Sequence, residues 1–157
     1  MKILISPYSK KMRNNKENPK NFPYWNKVVY ELKQYKNEVI QIGLKGENKI
    51  NYVDQFLIDL PFDELKNIIN DCDVWVSVDN FLPHFCNLIG KPGIVIFAQS
   101  NPEIFGYKQN VNLLKDKKNL RWNQFGTWED AEFDAISFVD ANIVISSILN
   151  FNDQNMV

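Results

Sequence analysis

An acid, an amide and the chain's single histidine stand close together in Asp79-Asn80-Phe81-Leu82-Pro83-His84. They follow an apolar run, Asp73–Val78, and open a segment with helical character, Pro83–Ile89. A helix N-terminus presents unpaired backbone N–H groups that attract phosphate. A histidine there can hydrogen-bond phosphate or titrate near neutrality. The same residues also suit a plain structural junction, with Asp79 capping the helix and His84 packed beneath it. Gly43-Leu44-Lys45-Gly46-Glu47 suits a flexible surface turn or a second place for chemistry, since a carboxylate after a strand can accept hydrogen bonds from ribose hydroxyls. A third is the cationic stretch of Ser9, Lys10, Lys11, Arg13, Lys16 and Lys20, which suits a diphosphate or a merely solvated loop. Ser100 and Asn101 could add phosphate contacts or simple turn chemistry.

Other chemistries have little support. There is no Walker P-loop and no Gly-x-Gly-x-x-Gly. One histidine and two separated cysteines, Cys72 and Cys86, form no ligand set for a transition metal and no disulfide framework. Both thiols, like Trp25, Trp75 and Phe97, suit core positions. Trp122 and Trp128 fit no core pattern and suit an interface.

The elements that must position these groups follow from pattern. The chain has 157 residues, 45% hydrophobic and 24% charged, as expected of one globular domain spanning residues 1–157. Eighteen Lys+Arg against nineteen Asp+Glu give a net charge of −1, which argues against bulk nucleic-acid binding. No apolar run approaches the roughly 18–20 residues of a membrane span, and Met1–Ser6 is too short for a signal peptide. The expectation is a cytoplasmic protein. Abundant Asn, Lys and Ile with scarce Arg and Ala suit an AT-rich bacterial or phage genome.

Strands are expected at Lys2–Ser6, Glu38–Ile42, Phe56–Leu60, Asp73–Val78, Gly93–Ala98 and Val111–Leu114. Tyr24–Tyr35 spaces Trp25, Val28, Val29 and Leu32 as one helix face. Asp63 is a candidate N-cap for a helix through Asn70, with Leu65, Ile68 and Ile69 inward. Trp128–Asn150 reads as a closing helix with Ile136, Val139, Ile143, Val144 and Ile148 buried. This alternation predicts an α/β, Rossmann-like fold, a mostly parallel sheet with helices on both faces. In such sheets ligands lie beyond the carboxyl ends of the strands. Pro7–Pro23, Gly43–Glu47, Asp79–His84 and Ala98–Tyr107 are therefore expected to line one crevice.

In order and spacing these segments resemble the C-terminal, nucleotide-sugar-binding half of glycosyltransferase family nine, which holds the ADP-heptose:lipopolysaccharide heptosyltransferases. Val76–Pro92 is similar to that family's strand, Asp-Thr/Ser-Gly, histidine and Gly-x-Pro. Ser6-Pro7-Tyr8-Ser9 resembles its Pro-Gly-Ala-Ser turn, Lys20-Asn21-Phe22-Pro23 its Lys-x-Trp-Pro, and Gly43…Gly46-Glu47 its Gly-x-x-Glu loop. Gly93–Ala98 with Ser100-Asn101-Pro102 and Gly106 resembles the family's apolar strand and Ser/Thr-x-Pro…Gly loop. Phe81 stands where the family has glycine.

The resemblance implies one Rossmann-like domain like the C-terminal domain of GT-B glycosyltransferases. Glu47 would bind the ribose or base end of a nucleotide sugar. Asp79, Asn80 and His84 would surround the diphosphate and donor sugar, and Ser9, Lys20 and Ser100 would add diphosphate contacts. The activity implied is sugar transfer from a nucleotide diphosphate sugar as donor substrate, without a metal or other cofactor and with no catalytic residue assigned. The resemblance covers only the C-terminal half of the GT-B fold. It therefore implies a homo-oligomer or a partner supplying the acceptor side. The alternative is a non-catalytic module that binds a nucleotide or nucleotide sugar as a sensor, sponge or regulator.

Overall fold

The computed structural model describes residues 1–154. Six strands alternate with helices: β1 Lys2–Ser6, α1 Trp25–Gln34, β2 Glu38–Gly43, β3 Gln55–Ile58, α2 Phe62–Asp71, β4 Val74–Val78, α3 Phe81–Leu88, β5 Ile94–Phe97, α4 Pro102–Phe105 and β6 Val111–Leu114. The closing helices are α5 Ala141–Leu149 and α6 Phe151–Gln154. The strands form one sheet in the order β3-β2-β1-β4-β5-β6, and every neighbouring pair is parallel. This is the doubly wound Rossmann order, in which the chain reverses direction across the sheet between β1 and β4.

Two apolar layers hold the sheet, and strand alternation sorts residues between them. Ile3 and Ile5 of β1 face α1 and α5, against Trp25, Val28, Leu32, Val144 and Ile148. Leu4, one step along, faces α2 and α3, against Leu65, Ile69, Leu82 and Cys86. Each Ile or Leu buried from water contributes about 1.5–3 kcal/mol before entropy is counted. Both cysteines are buried and free.

Most strand and helix positions agree with expectation, and three differ. Helix α2 starts at Phe62, so Asp63 lies in its first turn and Pro61 takes the cap position. Asn80, not Asp79, caps α3. The expected helix over Trp128–Asn150 is half irregular: residues 128–140 hold only short 3₁₀ turns, and α5 begins at Ala141. Ile136 and Ile143 are accordingly 75% and 49% exposed, while Val139, Val144 and Ile148 are buried. Phe138 supplies the buried bulk that Ile136 was expected to give. No helix among the described residues is long and apolar enough to cross a membrane.

Candidate functional site

The carboxyl ends of β1 and β4 are locked together by one side chain. Asn80 Oδ1 accepts the Leu82 N–H at 2.9 Å, capping α3. Its Nδ2 donates to Ser6 Oγ at 2.9 Å and the Tyr8 carbonyl at 3.0 Å. Beside it, Ser9 Oγ donates to the Asp79 carbonyl at 3.0 Å, and Asn21 Oδ1 accepts the Ser9 N–H at 2.8 Å. The Asp79 carboxylate is buried and meets Lys20 Nζ at 2.8 Å. Sequence reasoning gave Asn80, Ser9 and Asp79 to a ligand. In the structure their side chains first hold the long β1–α1 loop against β4.

Next to this junction lies an open cavity of about 760 Å³. Its walls come from the first loop (Tyr8 to Asn21), the β2 end (Gly43 to Asn48) and Asn80 with Phe81. Lys10, Lys11, Lys16 and Lys45 line it, with Glu17 and Glu47 as its carboxylates. Tyr8 contributes an aromatic wall, and burial, with the charges of Glu17 and Glu47, pushes its hydroxyl above the ordinary range.

Glu47 is fixed by local turn chemistry. Its N–H donates to the Leu44 carbonyl at 3.1 Å, closing a turn with Gly46 at φ +94°. That left-handed conformation is one a side chain adopts only with strain. The carboxylate folds back, and Oε2 accepts the Leu44 N–H at 2.9 Å. A Cβ on Gly43 would collide with this carboxylate, so the two glycines of the loop have separate tasks. Burial, aided by repulsion from Asp59 and opposed by the Leu44 N–H, raises the Glu47 carboxyl above its usual range.

Gln41 escaped sequence reasoning. It is fully buried within β2, where Oε1 accepts the Ile50 N–H at 2.7 Å and Nε2 donates to the Asn48 carbonyl at 2.9 Å. It thereby anchors the far side of the loop that carries Glu47. The signal was a lone amide inside Val39-Ile40-Gln41-Ile42. Trp128 also gains a place: its ring lies under Lys20 Nζ at 4.7 Å and Arg121 Cζ at 4.4 Å from the ring centroid.

Four expected residues lie outside the lining of this cavity: Lys20 and Asp79, which pair with each other, and His84 and Ser100. His84 is exposed on α3, with Nδ1 2.7 Å from the Tyr107 hydroxyl. Ser100 is buried at the end of β5, and its Oγ has no hydrogen-bond partner among the described residues. The neighbouring Asn101 caps α4 through the Glu103 N–H.

The parallel sheet with its β1/β4 reversal is shared with solved heptosyltransferases. The fold is that of about half a heptosyltransferase. Escherichia coli ADP-heptose LPS heptosyltransferase II superposes with a TM-score of 0.68 at 12% identity, over 99% of this chain and 47% of that one. E. coli heptosyltransferase WaaC, solved with ADP, gives 0.62 at 15% identity, over 94% and 43%. The dodecameric iron-containing heptosyltransferase TibC, solved with ADP-D-β-D-heptose, gives 0.62 at 16% identity, over 99% and 47%. The chain thus spans just under half the length of these heptosyltransferases. No family model matches the sequence. No curated protein matches it either. At these identities the likeness to heptosyltransferases is one of fold.

Proposed function

We propose that this chain binds a nucleoside diphosphate sugar in the larger cavity and serves as the donor-binding part of a glycosyltransferase. The observation that carries the reading is the cavity at the β1/β4 reversal, where a polyol-reading carboxylate and several cations line one space. Glu47 Oε2 is engaged by the Leu44 N–H, and the carboxylate accepts ribose hydroxyls through its remaining lone pairs. Lys10 and Lys16 neutralise the diphosphate, with Lys20 beside Asp79 as a further cation.

Under this reading the chain contributes positioning and stabilisation of the leaving nucleoside diphosphate. Departure of that group leaves negative charge on the phosphate oxygens, which the lysines offset without a metal. The acceptor hydroxyl and the base that takes its proton come from a second copy or a partner. TibC, one of the fold neighbours, is a dodecamer.

The test is a thermal-shift and calorimetric screen of the purified chain against ADP, GDP, UDP, CDP and their sugar conjugates. A ligand that binds only the native state raises the melting temperature with its saturation. The expected result is a shift for one base that is lost in Glu47→Gln and in Lys10→Gln/Lys16→Gln. The absence of a shift with every nucleotide overturns the reading.

A further inference from the structure

A smaller cavity of about 290 Å³ adjoins the larger one, and Ser9, Lys10, Lys11, Met12 and Asn18 form a wall common to both. Its own lining is Arg13, Lys20, Thr127, Trp128 and Glu129. That space has room for one monosaccharide ring. The walls are fixed to each other: Glu129 Oε1 accepts the Arg13 N–H at 3.3 Å, and Asn14 Nδ2 donates to the Glu129 carbonyl at 3.4 Å. Thr127 Oγ1 donates to Asp130 Oδ2 at 2.9 Å, which steadies the turn that presents Trp128.

Charge gives the cavity its selectivity. Four cationic side chains, Lys10, Lys11, Arg13 and Lys20, stand against one carboxylate, Glu129. Only Lys20 is ion-paired, to Asp79; among the described residues Lys10, Lys11 and Arg13 have no ion-pair partner. The cation–π contacts of Lys20 and Arg121 hold the Trp128 ring and keep two cations beside the space. A neutral sugar would leave this field uncompensated, whereas an acidic group would complete it.

Resting on the donor-binding reading above, we propose that the smaller cavity receives the sugar beyond the diphosphate and selects an acidic sugar, one bearing a carboxylate. Arg13 and Lys11 are the residues that read the acid, and Trp128 is the wall on which the ring's C–H face packs.

The experiment compares glucose 1-phosphate with glucuronic acid 1-phosphate by calorimetry on the full chain, a pair differing only at one carboxylate and carrying no base. The acidic member is expected to bind at least fivefold more tightly. That advantage falls below twofold in Arg13→Gln/Lys11→Gln, whose exposed side chains are not needed for folding, while the backbone bond from Arg13 to Glu129 remains. In Lys45→Gln, which removes a cation from the larger cavity alone, the ratio between the two ligands persists. Equal binding of the pair by the native protein overturns the proposal. So does an advantage that survives in the double variant, or one that falls equally in Lys45→Gln. Nucleoside diphosphates are titrated in parallel. Their binding without discrimination between the sugar phosphates refutes only the acidic-sugar assignment. Discrimination without nucleotide binding refutes only the donor reading.

Discussion

Lys20 and Asp79 meet at 2.8 Å, joining the middle of the first loop to the end of the central strand β4. The carboxylate is 7% exposed and the lysine 18%. Removing one partner of a buried pair strands the other charge, which costs roughly 3–5 kcal/mol when burial is complete. Lys20 can turn its ammonium toward solvent, so Asp79→Asn is expected to cost about 1–3 kcal/mol, read as a lower urea midpoint with an unchanged m value. A midpoint equal to that of the native chain would show that the pair does not hold the loop.

Asn80 bears more of the junction than its neighbour. Asn80→Ala removes an N-cap worth about 0.5–2 kcal/mol and three interactions across the loop, so a total loss of roughly 2–3 kcal/mol is expected. Asn80→Asp keeps the capping oxygen but replaces the Nδ2 donor with an acceptor aimed at two carbonyls. It is expected to be at least as damaging as alanine in thermal denaturation. Recovery of stability by aspartate would mean that capping alone matters.

The Glu47 carboxyl is raised above its ordinary value of 4.5, chiefly by burial. The native state thus holds this proton more tightly than the unfolded chain. The group's favourable contribution is complete below the unfolded value and is lost as pH rises through the native one. On the donor-binding reading, ribose hydroxyls donate to the charged form, so nucleotide affinity is expected to grow as pH rises through the raised titration of this carboxyl and then level off. Glu47→Gln preserves the acceptor for the Leu44 N–H, and should fold normally with a flat, weak binding profile over the same range. A pH-dependent profile in that variant would assign the titration to another group.

Burial pushes the Cys72 thiol up to about 11 and the Cys86 thiol up to about 12. The thiolate is the reactive form, so both residues should resist iodoacetamide at pH 8 in the native state and react in urea. Rapid native-state alkylation, read by intact mass, would contradict the packing of α2 and α3 on the sheet.

Local pattern made the sheet legible. Val74–Val78 is apolar at all but Ser77 because β4 is covered on both faces, and Trp25, Val28, Val29 and Leu32 repeat as one helix face. The segment over 128–140 misled because apolar spacing there mimics a helix, while long-range contacts decide its course. Gln99 donates to the Glu132 carbonyl at 2.7 Å and Lys115 to the Ile136 carbonyl at 2.9 Å, tying the segment along the sheet ends. Ile136→Ser should therefore shift the melting temperature little, whereas Ile148→Ala should cost about 2–5 kcal/mol. At the site, the acidic and cationic residues were visible as types. Which of them serve the junction and which face a cavity depends on contacts between segments far apart in the chain, such as Ser9 with Asp79 and Lys20 with Trp128.

The bond from Asn80 to Ser6 spans 74 residues of sequence. Closing so long a loop costs chain entropy before the contact can reward it. During synthesis, β1, α1, β2 and the Glu47 loop all leave the ribosome before the strand that completes the crevice exists. On the donor-binding reading, a nucleotide therefore meets an incomplete crevice until β4 docks. Once bound, it should lengthen the lifetime of the folded protein and leave the speed of folding nearly untouched.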